Sequence, residues 1–150
     1  MAYESTTVTV ERSQSEINRL LYNHGCEATR FTNTPDGAII DFIRLEVKDG
    51  RERRIAVSLP VRYRLSEKMT QKQMQQHIRT KWRSVFYWLK AQFDAMDQGI
   101  IAYEEAFMPN LIVALPNGTS GRLRELMPQL SNGQHKEIRF ALEAPKEEIY

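Results

Sequence analysis

Cysteine occurs once, at Cys26, which excludes an internal disulfide and any multi-cysteine zinc site; a reducing cytoplasm suits such a chain. Histidine occurs three times, at His24, His77 and His135, too far apart to give a metal-ligand spacing. No apolar run approaches the roughly 18–20 residues a membrane span needs. The start, with Glu4 and Glu11 and no apolar core, has no secretory-signal character. No glycine-rich phosphate loop occurs, because Gly118 and Gly121 flank a turn without a suitably placed lysine. Ser58 and Ser84 lack a neighbouring histidine. Cys26 follows a helix end, where the dipole has the wrong sign to activate a thiolate, and so reads as a packing residue. No catalytic residue, metal or cofactor is expected.

Negative charge is also scarce, but only locally. Residues 51–90 carry eleven Lys or Arg against two acids, a net charge of +9, while the whole chain of 150 residues sums to +2. The remaining 110 residues therefore carry −7, and the molecule is electrically two-sided. Apolar residues at 41% suffice for one genuine core.

Three kinds of pattern give the elements. Ser13-Gln14-Ser15-Glu16 spells a capping box, followed by Ile17, Leu20, Leu21 and His24 on one face and a stop at Gly25, which predicts a helix over 14–24. Ahead of it, Thr6-Thr7-Val8-Thr9-Val10 suits a short strand or a disordered arm. Strands are expected over 27–33, 38–47 and 54–63, with turns at Thr34-Pro35-Asp36-Gly37 and Asp49-Gly50. Ile55, Val57, Leu59, Val61 and Tyr63 alternate with Arg54, Ser58, Pro60 and Arg62, and Pro60 assigns that strand to a sheet edge. A long helix over 70–98 carries an apolar arc of Met74, Ile78, Trp82, Val85, Phe86, Leu89, Phe93 and Met96. Ile55 to Val61 should share one core with Ile78, Val85, Leu89 and Phe93. Helices are expected over 103–115, disturbed by Pro109, and over 119–127.

The fold class is thus α+β: a three-stranded antiparallel meander packed by an N-terminal helix and one long helix (α-β-β-β-α), with a short helical C-terminal extension. Residues 1–130 form one domain, and 131–150 read as a polar, acidic tail or an arm that orders on a partner.

Two constellations bear on function. At 100° per residue, Lys72, Arg79, Arg83 and Lys90 fall within about 20° of one line down the long helix. Arg54, Arg62 and Arg64 lie beside it in sequence. Together they would form a polyanion-binding surface, with Tyr63 and Tyr87 as stacking platforms and Trp82 and Trp88 in the core. The plainer reading is the solvated face of an amphipathic helix. The second constellation is Pro35-Asp36 followed by Glu46-Val47-Lys48, which resembles the metal-binding pattern of the PD-(D/E)xK nucleases, with Glu16 as an extra acid. An unbroken strand over 38–48 would hold Asp36 about 33 Å from Glu46, and this counts against a shared metal.

The progression Lys81-Trp82-Arg83, Leu89-Lys90-Ala91-Gln92-Phe93, Gly99-Ile100, Glu104-Glu105-Ala106-Phe107-Met108 and Leu115-Pro116-Asn117-Gly118-Thr119 resembles a family of uncharacterised small bacteriophage and environmental-virus proteins. The likeness covers residues 13–128. It implies a viral accessory protein in a bacterial host cytoplasm, and it transfers no catalytic residue. The functional expectations are binding of DNA or RNA through the basic region, or engagement of an acidic host protein, or self-assembly into a homo-oligomer.

Overall fold

A computed structural model describes residues 3–131 and 139–140. The element order is α1 (Val10–Asn23), β1 (Cys26–Thr34), β2 (Gly37–Lys48), β3 (Arg51–Arg62), α2 (Gln71–Asp97), α3 (Tyr103–Ala106), a 3-10 turn (Met108–Asn110), β4 (Ile112–Ala114), β5 (Ser120–Arg122), α4 (Leu123–Ser131) and β6 (Arg139–Phe140). β1, β2 and β3 form an antiparallel meander with β2 central. The α+β layout is as the sequence predicts, and Pro60 does lie on an edge strand.

Local chemistry accounts for the first half. Thr70 caps α2 through a reciprocal pair with Gln73: the Gln73 amide donates to Thr70 Oγ1 and the Thr70 amide to Gln73 Oε1. Asp49 and Gly50 take φ of 54° and 76°, the left-handed pair that a two-residue hairpin requires, so Lys48 and Arg51 pair directly. Gly37 admits no side chain, because a Cβ there would fall 1.9 Å from the Val61 carbonyl oxygen.

α1 starts a turn earlier than the capping-box pattern predicts. Thr9 is its N-cap, accepting from the Arg12 amide, while Ser13 lies inside the helix and is fully buried with Ile17 and Leu21. Residues 3–8 are neither strand nor loose arm. They lie on α2, where Gln76 donates to the carbonyls of Glu4 and Thr6, Thr80 donates to that of Tyr3, and Tyr3 stacks on Tyr87 at 4.7 Å and 8°.

One core joins the layers. Ile40 and Phe42 of β2, Ile55, Val57, Leu59 and Val61 of β3, Ile17 and Leu21 of α1, and Trp82, Leu89 and Phe93 of α2 are all buried in it, with Ile78 and Val85 packed at its margin. The expected register of strand against helix holds. Trp88 does not behave as expected. It is 43% exposed and presents an edge to Phe107.

The predicted helix over 103–115 is the main correction. It breaks after Ala106, passes through the 3-10 turn containing Pro109, and becomes β4. Phe107, Leu111 and Leu115 are four apart, but Leu111, Val113 and Leu115 are all buried at a spacing of two, and that is the period the chain adopts. Pro109 removes the donor a continuing helix needs. The predicted helix over 119–127 likewise opens as β5 before α4 begins. β5, β4 and β6 make a second small sheet. This unit covers the β3 edge: Leu111 bridges to Val57, and Arg122 donates to both the carbonyl and the hydroxyl of Ser58. Ser58, placed by alternation on the outer face, is consequently buried. The predicted tail over 131–150 lies outside the described residues except at Ser131 and at Arg139–Phe140, which pairs with β4.

Candidate nucleic-acid interface

The periodicity that aligns Lys72, Arg79, Arg83 and Lys90 holds, because α2 is one uninterrupted helix over 71–97. The predicted surface does not survive intact. Arg83 is only 8% exposed at its side chain and points between the helices, where Nη1 donates to Glu16 Oε2 at 2.5 Å and approaches Ser13 Oγ at 3.4 Å. Its guanidinium also lies over the rings of Phe86 and Tyr87. Arg79 is half-buried and donates to Gln76. Lys90 is exposed but pairs with Asp94 at 3.2 Å, one turn further on. Arg54, on β3, pairs with Glu27 of β1 at 2.6 Å. These four cations already have partners within the fold: Arg83 because α1 packs along the same line of α2, Arg54 across the sheet, and Arg79 and Lys90 on neighbouring turns of α2 itself.

Tyr63 is not a free stacking platform either, since its hydroxyl accepts the Trp82 indole N–H at 2.7 Å. Tyr87 retains partial exposure but is stacked by Tyr3.

Three of the predicted residues remain available, and one neighbour joins them. Arg62 ends β3, Arg64 and Lys68 lie in the following loop, and Lys72 sits in the first turn of α2; all four side chains are exposed and none has a carboxylate partner among the described residues. The loop is fastened to α2, because the Arg64 amide donates to His77 Nε2 at 3.2 Å. Its base is fastened to the β1–β2 turn, where the Tyr63 amide donates to the Asp36 carbonyl at 3.0 Å. The single acid between residues 62 and 72, Glu67, is exposed and makes no ion pair with them. Sequence reasoning passed over Lys68 as a site residue, though its place between Arg64 and Lys72 was visible.

The nuclease-like constellation is pulled apart by the same fold. β2 runs unbroken from Gly37 to Lys48, so Asp36 and Glu46 stand at opposite ends of it. Glu46 pairs with Arg53, Glu16 with Arg83, and Asp41 with Arg30. Among the described residues no cluster of His, Cys, Asp or Glu could hold a metal ion.

Cys26 is buried beneath the end of the meander, and burial pushes its thiol from 9.0 up to about 12, partly opposed by Arg44. The thiol is therefore protonated at neutral pH and has no nucleophilic character, in keeping with a packing role. Tyr103 beside it is also raised, by burial first and by Cys26 second. Both groups release protons more readily in the unfolded chain than in the folded one. Stability should therefore fall as pH rises from 9.0 through about 12, the interval between the unfolded and folded values for Cys26. Chemical denaturation measured across that range should give a shallower decline for Cys26→Ala than for the parent.

No helix among the described residues is long and apolar enough to cross a membrane. The chain matches no protein-family model, curated protein or solved structure in comparison.

Proposed function

We propose that this protein is a non-enzymatic, phage-type accessory protein that binds nucleic acid through the corner formed by the end of β3, the loop over 63–70 and the first turn of α2. The observation that supports this reading is the set Arg62, Arg64, Lys68 and Lys72, four exposed cations without carboxylate partners among the described residues. Cations on a merely solvated face are normally interspersed with acids. Each phosphate contact releases condensed counterion, so a few fixed cations give usable affinity without reading bases. The two arginines suit bidentate phosphate contacts.

Binding to duplex DNA should weaken steeply with salt, with a log–log slope of about −3 to −4 if all four cations are engaged. Charge reversal of Arg64 and Lys72 together should lower affinity for DNA and RNA by more than about tenfold and flatten that slope. Undetectable binding by the parent protein, or binding unchanged by the double reversal, would exclude this reading.

A second reading is an interaction protein that grips an acidic host partner or a second copy of itself. Trp88, Ile100 and Met108 favour it, being 43%, 73% and 47% exposed. Trp88 also presents its ring to Phe107, the residue preceding Met108.

A further inference from the structure

At the far end of the sheet from the basic corner, a β-bulge shifts the pairing of β1 with β2, so that Cys26 faces Arg44 while Ala28 faces Ile43. Bulges re-aim side chains. Here the extra residue is Glu27 of β1, so that Cys26 rather than Glu27 stands opposite Arg44. Alternation along β2 carries Ala38, Ile40 and Phe42 into the core, and Arg44, Glu46 and Lys48 continue that side beyond it. The Arg44 guanidinium lies over the Tyr103 ring, 5.0 Å from its centroid. Next to it Arg53 pairs with both Glu46 and Glu104.

An open cleft of about 500 Å³ is lined by Arg44, Glu46, Lys48, Arg53 and Glu104. Its lining holds three cations and two carboxylates, and both carboxylates already share Arg53. The surplus positive charge belongs to Arg44 and Lys48. Arg83 and Arg122 each have a carboxylate, Glu16 and Glu125, and the half-buried Arg79 has the Gln76 side-chain carbonyl. Arg44 is half-buried and has no hydrogen-bond or carboxylate partner among the described residues. Its donor fork, held over the Tyr103 ring, faces the solvent of the open cleft and is free to take an arriving acceptor. The Tyr103 hydroxyl is a second unsatisfied group. It is buried without a partner, within the electrostatic reach of Cys26, Arg44, Glu46 and Glu104.

We propose that this cleft binds a small oxyanion, a carboxylate or phosphate group, taken bidentately by the Arg44 fork and assisted at the rim by Lys48. The planar guanidinium matches two oxygens of such a group, and the aromatic ring beneath fixes its plane. The site is separate from the basic corner and does not depend on nucleic-acid binding.

The test is a chemical-shift titration of the full chain with inorganic phosphate and, separately, acetate, at ionic strength held constant with chloride. Amides of residues 44–48 and 103–105 should shift saturably with at least one probe, and which probe succeeds identifies the source of the oxyanion. Arg44→Lys keeps the charge but loses the fork, and should weaken binding by about tenfold. Arg44→Gln should abolish it, while reversal of Arg62 and Arg64 should leave it unchanged. The proposal is overturned by an absence of saturable shifts with both probes, by an Arg44→Lys titration identical to the parent's, or by loss of the response on reversing Arg62 and Arg64.

Discussion

Replacing Trp82 with alanine is expected to cost about 3–5 kcal/mol of folding stability, measured by denaturant unfolding. Trp82 is fully buried, packs its ring against Phe31 at 5.9 Å, and donates its indole N–H to the Tyr63 hydroxyl. Truncation removes the largest side chain at the junction of α2 with the meander and leaves a cavity that neighbours on two rigid elements cannot close. Trp82→Phe should recover most of that loss, since Tyr63 is only half-buried and water can satisfy its hydroxyl. The control is internal. Trp88→Ala, at a site 43% exposed, should cost less than about 1 kcal/mol. Equal losses at the two tryptophans would mean that α2 is rotated from the orientation described.

The contrast between the tryptophans marks how far periodicity reaches. Trp82 lies on the centre of the apolar arc and is buried, as its spacing demands. Trp88 lies off the arc, and hydrophobicity alone suggested a core position that α2 does not give it. The meander was legible because alternation, Pro60 and the Asp49-Gly50 turn are local signals that agree with one another. The C-terminal unit was not. Phe107, Leu111 and Leu115 satisfy a helical spacing, and only the burial of Val113 distinguishes that from a strand. Burial of Val113 depends on β3, fifty or more residues earlier in the chain.

The basic stripe failed for a related reason. Helical spacing puts Lys72, Arg79, Arg83 and Lys90 on one line, but it cannot say what packs over that line. Ser13-Gln14-Ser15-Glu16 held the missing information in disguise. Its capping pattern is locally sound, yet Thr9 supplies the cap, which frees Ser13 and Glu16 to meet Arg83. The exposed corner at Arg62, Arg64, Lys68 and Lys72 was legible as charge, and its separation from the buried arginines required tertiary structure.

The buried end of the stripe gives the second large effect. Glu16→Ala is expected to destabilise the protein by about 3–5 kcal/mol, because it strands the Arg83 guanidinium between α1 and α2 with only the Ser13 hydroxyl, which lies at 3.4 Å, and two aromatic faces. Arg83→Met should cost clearly less. It removes the charge that needs compensation, keeps much of the side-chain volume against Phe86, and leaves Glu16 33% exposed with Arg12 at 3.7 Å. The double variant should therefore be more stable than Glu16→Ala alone, a coupling that a thermodynamic cycle reads directly. If the two single substitutions cost the same and add in the double, the pair is a surface contact and Arg83 is available after all. The ordering also decides how binding data are read. Charge reversal at Arg83 would place an acid against Glu16, so any loss of nucleic-acid binding there would report unfolding. Reversal at Arg64 and Lys72, where the side chains touch no carboxylate among the described residues, changes the surface and leaves the core as it was.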